Sequence, residues 1–170
     1  TRAYIKIQEG CNRFCSYCII PYARGKVRSR NLDEIIEEAK GLIAGGFKEI
    51  ILTGINTALY GEDLGYGGIA PLIRRLDALE GDFRIRLSSL EPTVINAEYV
   101  KGLLQYKKLC PHLHLSIQSG SDHVLKLMNR KYQNNYLLSR ISGLAFDVMI
   151  VAGIASINIE DLSGNWLPFI

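Results

Sequence analysis

Three cysteines lie within eight residues near the start of the chain, at positions 11, 15 and 18. Thiolates drawn from so short a run of sequence are the ligands that hold iron–sulfur clusters. A complete cage uses four ligands, so three thiolates leave one iron open to bind another molecule. Cys11, Cys15 and Cys18 therefore predict a cluster with a reactive open position. The alternatives are a zinc site completed by Cys110 or a histidine, and a disulfide with a spare thiol.

The composition is that of a globular domain with a metal site. Hydrophobic residues make up 48% of the 170-residue chain and charged residues 22%, which is enough to bury the core of one domain. The net charge of +3 permits a nucleic-acid partner without requiring one. Three clustered cysteines are typical of a reducing compartment and not of a disulfide framework.

Neither a secretory signal nor a membrane span is recognisable in the sequence. The most apolar run, residues 148–157, has 10 residues, whereas a spanning helix needs roughly 18 or more. We therefore expect a cytoplasmic protein without a membrane partner. Because the chain starts at Thr1 and directly at a predicted strand, we also expect it to be an internal part of something longer.

Strands and helices are predicted to alternate along the chain. Strands are predicted over residues 4–8, 49–53, 83–89, 112–117 and 146–152. Helices are predicted from Asn31 to the glycines at 45 and 46, over 70–79 and 96–106, and ending near 128. This alternation favours a parallel sheet built from right-handed βα units.

Within the strands, apolar and polar residues alternate. The apolar positions are Ile5, Ile7, Ile85, Leu87, Leu113, Leu115 and Ile117. The opposite positions are Lys6, Gln8, Arg84, Arg86, Ser88, His112, His114, Ser116 and Gln118. Parallel strands covered on both faces usually read as continuous apolar runs. The pattern therefore predicts an α/β fold, a partial, open parallel (β/α) barrel with a polar interior. A sheet with one face in solvent is the alternative.

Glycine- and serine-rich stretches follow the predicted strands. They are the loop that carries Cys11, Cys15 and Cys18, and residues 53–57, 88–91 and 118–121. Ligand-binding loops of such barrels lie at the carboxyl ends of the strands. Their joint placement predicts one site at that end of the barrel.

Four cations, Arg24, Lys26, Arg28 and Arg30, lie in the segment after the cysteines. They are either a phosphate-contacting edge beside the cluster or a solvated loop. Composition leaves both interpretations open.

The cysteine stretch resembles the radical S-adenosylmethionine (SAM) methylthiotransferases over residues 8–30, QEGCNRFCSYCIIPYARGKVRSR. Within that family the chain is most similar to the branch that acts on N6-threonylcarbamoyladenosine (t6A) at position 37 of tRNA. Residues 52–57, 86–92, 114–121 and 128–132 carry this resemblance. It implies a tRNA-modifying enzyme that converts t6A to its 2-methylthio form.

The resemblance implies the cofactors and partners as well. Cys11, Cys15 and Cys18 would hold a [4Fe-4S] cluster whose free iron binds SAM, and SAM cleavage would remove hydrogen from C2 of adenine. A second SAM would methylate sulfur on a second [4Fe-4S] cluster, expected only in the full-length enzyme. The partners would be the tRNA anticodon loop and an electron donor such as a flavodoxin or ferredoxin.

The resemblance also implies contacts beyond the cysteines. They are Tyr17 at the adenine of SAM, Thr53, Gly54 and Asn56 at its methionine end, and Ser89, Glu91 and Gln118 at the ribose or the substrate. Turn glycines, a packed tyrosine and ordinary loop hydrogen bonds are the alternative roles.

The resemblance divides the chain at residue 132. Residues 1–132 are predicted to be a radical SAM core, and 133–170 an atypical C-terminal continuation with a truncated or frame-shifted end. The family's full enzymes carry further N- and C-terminal domains. Two alternatives therefore stay open: a methylthiotransferase for isopentenyladenosine tRNA or ribosomal protein, and an inactive iron–sulfur-binding fragment.

Overall fold

The computed structural model describes residues 1–133, 147–152 and 155–157 of the chain. The strands are β1 Arg2–Glu9, β2 Arg28–Ser29, β3 Glu49–Gly54, β4 Arg84–Leu87, β5 Ser89–Leu90, β6 His112–Ser116, β7 Asp147–Ala152 and β8 Ala155–Ile157. The helices are α1 Ile20–Ala23, α2 Leu32–Ala44, α3 Ala70–Asp77, α4 Ala97–Leu104 and α5 Asp122–Leu127, with short 3-10 turns at Thr57–Leu59 and Pro92–Val94. Strands and helices alternate as the sequence predicts.

The strands form two sheets, each with a parallel centre and one antiparallel edge. In the first, the order is β2-β1-β3-β4, with β1, β3 and β4 parallel and β2 antiparallel to β1. In the second, the order is β5-β6-β7-β8, with β5, β6 and β7 parallel and β8 antiparallel to β7. The parallel strands therefore follow one another in chain order, as in a barrel that is not closed.

The two sheets meet where one strand was predicted over residues 83–89. The chain leaves the first sheet after Leu87 and joins β6 through β5. Ile85 still bridges to the segment before β6, since its amide donates to Lys108 O at 2.7 Å and Cys110 N donates to Ile85 O at 2.8 Å. The result is a curved α/β half-barrel, which confirms the predicted fold class.

The predicted apolar face is the core. Ile5, Ile85 and Leu115 have no exposed surface, and α2 packs against β1 while α3 packs against β4. Gln8 is an exception among the polar strand residues, since its side chain is only 1% exposed. Its burial is explained by the site below.

Part of the predicted C-terminal continuation is described. The strand predicted over 146–152 is confirmed as β7, which pairs in parallel with β6. The prediction that 133–170 has a truncated or frame-shifted end concerns residues that mostly lie outside the described ranges. In the part of the chain that the structure describes, no helix has the length and apolar character needed to cross a bilayer.

Candidate iron–sulfur and cofactor site

The cysteine loop, residues 10–18, leaves the carboxyl end of β1 through a tight turn. Gly10 has a φ of +73°, a conformation that residues with a side chain rarely adopt. Cys11 N then donates to Gly25 O at 3.1 Å, and Cys18 N donates to Cys15 O at 3.0 Å. Cys11, Cys15 and Cys18 are half-buried free thiols.

The three cysteines line one cavity of about 220 Å³ at the carboxyl ends of the strands. Five residues predicted to contact the cofactor line it too: Tyr17, Asn56, Ser89, Glu91 and Gln118. Five others complete the lining: Arg13, Ile55, Leu90, Ser116 and Arg130. Loops that are far apart in sequence therefore converge on the thiols, as their position after the strands predicts.

Thr53 and Gly54 are the two predicted contacts that the lining, as far as described residues form it, does not include. Thr53 Oγ1 donates to Ile5 O at 3.3 Å. A Cβ on Gly54 would come within 2.9 Å of Gln8 Oε1, so glycine lets Gln8 sit against β3. Their contact with a cofactor stays a prediction.

Gln8 ties the cysteine loop to the loop after β3. Its Nε2 donates to Glu9 O at 2.8 Å and Gly10 O at 2.7 Å, and its Oε1 accepts from Asn56 N at 2.9 Å. Because all three bonds are made by one buried side chain, Gln8 fixes the start of the cysteine loop relative to Asn56. In the sequence this role has no signal beyond a polar residue at a strand end.

A largely buried ion pair closes one side of the cavity. Arg13 Nε lies 2.5 Å from Glu91 Oε2, and Asn56 Nδ2 donates to the same oxygen at 3.1 Å. Glu91 is 4% exposed and Arg13 29%. Arg13 lies between the first two cysteines, so the pair holds the cysteine loop against the loop after β5.

Replacing Glu91 by alanine is expected to lower the free energy of unfolding of the cluster-free protein by ~2–3 kcal/mol, because Arg13 and Asn56 lose their shared acceptor. Glu91→Gln, which keeps an acceptor oxygen, should lose less. Urea unfolding of both variants measures this. Glu80→Ala, at an exposed carboxylate, is the control and should change stability by less than about 0.5 kcal/mol. Equal losses for Glu91→Ala and Glu80→Ala would contradict the assignment.

Residues 127–130, at the end of α5 and just after it, form a clamp that holds the cysteine loop from the other side. Ser16 N donates to Met128 O at 3.1 Å, and Ser16 Oγ donates to Leu127 O at 2.8 Å. Asn129 Nδ2 donates to Phe14 O at 2.9 Å. Phe14 and Asn129 both have positive φ, 49° and 55°, and both are fixed by this bond. The clamp joins segments more than 110 residues apart in the sequence, and sequence reasoning gave it no site role.

Arg130 continues the clamp into the cavity. Its Nη2 donates to Tyr17 OH at 2.5 Å, and its guanidinium carbon lies 5.7 Å from the centre of the Tyr17 ring. Burial raises the pKa of the Cys15 thiol, and the positive charge of Arg130 opposes that shift. Arg130 therefore places a cation beside a predicted cluster ligand.

Cys110 lies away from these thiols. It is 8% exposed and precedes β6, at the amino end of the parallel strands, whereas the cysteine loop lies at the carboxyl end. Burial raises the pKa of its thiol. This position does not support a zinc site completed by Cys110. Over the described ranges, no three Cys, His, Asp or Glu side chains converge on the position of a single metal ion. This argues against a zinc site but not against a four-iron cluster, in which each thiolate binds a different iron.

The cations after the cysteines are partly paired with carboxylates of the chain. Arg24 Nη1 lies 2.7 Å from Glu9 Oε1, and Arg28 Nη2 lies 3.6 Å from the other oxygen of Glu9. Arg30 Nη1 lies 2.7 Å from Glu38 Oε2. Both interpretations of this segment stay open, but less positive charge is available for phosphate than the sequence suggests.

Comparison with known proteins identifies the family. The model of the Radical SAM superfamily matches residues 5–145. The chain is 50% identical over 145 residues to threonylcarbamoyladenosine tRNA methylthiotransferase MtaB of Bacillus subtilis, covering 85% of this chain and 32% of the relative. It is 39% identical over 170 residues to tRNA-2-methylthio-N(6)-dimethylallyladenosine synthase of Acetivibrio thermocellus, covering 95% and 35%. The chain thus spans about a third of the length of the curated relatives it matches.

Solved structures share the fold at low sequence identity. The radical SAM methyltransferase TsrM of Kitasatospora setae, with cobalamin and a [4Fe-4S] cluster bound, aligns with a TM-score of 0.65 at 16% identity, over 88% of this chain and 30% of that one. The cobalamin-dependent SAM radical enzyme OxsB, with aqua-cobalamin and SAM bound, aligns with a TM-score of 0.68 at 14% identity, over 86% and 23%.

Proposed function

This chain belongs to the radical SAM superfamily, and from that premise we propose that it is the catalytic core of a tRNA methylthiotransferase. The proposed reaction converts t6A at position 37 of tRNA to its 2-methylthio derivative. One observation carries the proposal: three free thiols and five predicted cofactor contacts line a single cavity at the carboxyl ends of the parallel strands. The 50% identity to the Bacillus subtilis t6A enzyme supports the substrate.

The residues present fit a [4Fe-4S] cluster with SAM. Cys11, Cys15 and Cys18 would supply the three thiolates. Two other lining residues each carry a buried polar atom, Asn56 Oδ1 and Arg130 Nε, that has no hydrogen-bond partner in the described part of the chain. Buried polar atoms normally have a partner, so these two suit a polar ligand. When bound there, the cluster and SAM would supply the radical chemistry that exchanges the C2 hydrogen of adenine for a methylthio group.

The residues of this chain would orient the cofactor and the substrate and enclose them in the cavity. Tyr17, stiffened by Arg130, offers a flat ring to the adenine of SAM, while Asn56, Ser89 and Gln118 present polar groups to the rest of the cofactor and substrate. Thr53 and Gly54 support this surface from β3. The apolar core beneath the strands keeps water from the inner side of the cavity.

The remaining parts of the reaction are proposed to lie outside this core. Sulfur insertion needs a second [4Fe-4S] cluster, which we assign to the remaining length of a full enzyme. A flavodoxin or ferredoxin would supply the electron. Clustered cysteines and a tRNA substrate both favour the cytoplasm, where thiols stay reduced.

A second candidate substrate is isopentenyladenosine in tRNA. It is favoured by the similarity to tRNA-2-methylthio-N(6)-dimethylallyladenosine synthase, which extends over 95% of this chain. The two substrates differ only in the group on N6 of the same adenosine, so the hydrogen removed from C2 is common to both.

Isotope transfer tests the proposed substrate. Anaerobically reconstituted protein is supplied with SAM, dithionite and an anticodon stem–loop that carries deuterium at C2 of adenosine 37. We expect deuterium in the 5′-deoxyadenosine when that residue is t6A, and much less when it is isopentenyladenosine or unmodified adenosine. Deuterium transfer from isopentenyladenosine alone would replace t6A by the second candidate. Equal 5′-deoxyadenosine without deuterium from all three would contradict a tRNA substrate.

Replacing Arg24, Lys26, Arg28 and Arg30 together by glutamine is expected to weaken tRNA binding and to flatten its salt dependence. Glu9 and Glu38 already pair with three of these cations. The slope of the logarithm of the binding constant against the logarithm of salt concentration should therefore decrease by the equivalent of about two phosphate contacts and not four. Binding titrations over a range of salt concentrations measure the slope. Glu9→Gln is the matched control, since it frees Arg24 and Arg28 and should steepen the slope. An unchanged slope in the fourfold variant would identify the segment as a solvated loop.

A further inference from the structure

Arg130 is the residue at which two cavities meet. It lines the cavity that contains the three thiols, and it also lines a second, outer cavity of about 830 Å³ beside α5, together with Lys126, Lys131 and Tyr132. The residue before it, Asn129, turns the chain with its φ of +55°. Arg130 N then donates to Leu125 O at 2.9 Å, which anchors the backbone to the helix.

The guanidinium of Arg130 is held in place without using up its charge. Its hydrogen bond of 2.5 Å goes to the phenol of Tyr17, a side chain that carries no charge near neutral pH. Its Nε is buried and makes no hydrogen bond to the described residues. A fixed cation with a free N–H donor therefore borders the cavity of Cys11, Cys15 and Cys18.

The net charge of the cluster determines how such a cation would affect its reduction. A [4Fe-4S]²⁺ core held by three thiolates has a net charge of −1, and adding one electron makes it −2. Net charge and hydrogen bonds to sulfur are among the factors that set the reduction potential of these clusters. A positive charge nearby stabilises the more negative, reduced state, and a donated N–H acts in the same direction.

We infer that Arg130 raises the reduction potential of the cluster held by Cys11, Cys15 and Cys18, through its fixed charge and its free Nε–H. The step involved is the uptake of one electron from the donor, without any bond made or broken in the protein. This role makes Arg130 a positioning and tuning residue, and it rests on the cluster binding of the proposed function. It also explains why the clamp after α5 reaches into the cavity.

The reduction potential itself is the test. The chain is reconstituted anaerobically, and the reduced cluster is followed by electron paramagnetic resonance in a redox titration without SAM. In Arg130→Gln, the equilibrium constant for one-electron reduction should fall about tenfold, which is ~59 mV. Arg130→Lys keeps the charge and should stay within about threefold of the parent. Lys126→Gln removes an exposed charge from the outer cavity and should also stay within about threefold.

An unchanged potential in Arg130→Gln, or an equal fall in Lys126→Gln, would overturn the inference while leaving the proposed function intact. A parent chain that binds no iron would overturn the proposed function instead. If Arg130→Gln fails to hold the cluster, Arg130→His takes its place, measured about one pH unit below and above the imidazole pKa of ~6.5. Its potential should fall with rising pH by more than that of the parent, and equal pH responses would overturn the inference.

Discussion

Cys15→Ala is expected to lose the iron–sulfur cluster and, with it, all cleavage of SAM. Cys15 lies in the middle of the cysteine loop, lines the cavity with Cys11 and Cys18, and accepts a hydrogen bond from Cys18 N at 3.0 Å. With three thiolates available, loss of one leaves two ligands for four irons, too few for a stable cluster. Iron and sulfide per chain after anaerobic reconstitution measure the result, which should fall from about four of each to below about one.

Cys110→Ala is the matched control. It removes a thiol of the same kind from a buried position at the opposite end of the strands, where it cannot reach the cavity. We expect its iron content and its 5′-deoxyadenosine yield to equal those of the parent chain. Equal iron content in the two cysteine variants would contradict the assignment of the ligands.

Gly10→Ala is expected to destabilise the protein by ~3 kcal/mol or more and to disorder the cysteine loop. A Cβ at this position would lie 1.9 Å from Lys26 O and 2.7 Å from Gly25 O, and both are backbone atoms that no side-chain rotation can move. The φ of +73° adds ~1–2 kcal/mol of its own for a residue with a side chain. Relieving the clash separates the two segments joined by the bond from Cys11 N to Gly25 O at 3.1 Å. Urea unfolding and iron content measure the two effects.

Gly41→Ala supplies the control for the same chemical change. Gly41 lies inside α2, and a Cβ there meets no atom within 4 Å. Alanine should therefore stabilise the helix by ~0.5–1 kcal/mol. If Gly10→Ala were as stable as Gly41→Ala and bound as much iron, the tight turn would not be what positions the cysteines.

The sequence predicted those parts of the fold that depend on local pattern. The strands around Ile5, Ile85 and Leu115 were predicted from alternation, which the half-barrel requires because helices cover only one face. The break at Ser88 was not predicted, since the change from β3 to β6 as a partner depends on contacts far away in the chain. Alternation continues through such a break, so the sequence shows one strand where the structure has two.

The residues of the site also fall into a group that the sequence predicted and a group that it missed. The strand pattern predicted that the loops of Tyr17, Asn56 and Gln118 would meet, because parallel strands bring their carboxyl ends together. The choice of these three side chains as cofactor contacts came from the family resemblance alone. Arg13 and Arg130 were missed as site residues because their roles depend on a partner, Glu91 or Tyr17, more than 70 residues away. A cation between the cysteines was the one signal that could have pointed to Arg13.

The most direct test of the central claim is made on the unmodified chain. The protein is reconstituted anaerobically, its iron and sulfide are counted, and it is then given SAM and dithionite. We predict about four irons and four sulfides per chain, and release of 5′-deoxyadenosine. Zinc in place of iron, or a complete cluster that yields no 5′-deoxyadenosine, would contradict the assignment of this chain as a working radical SAM core.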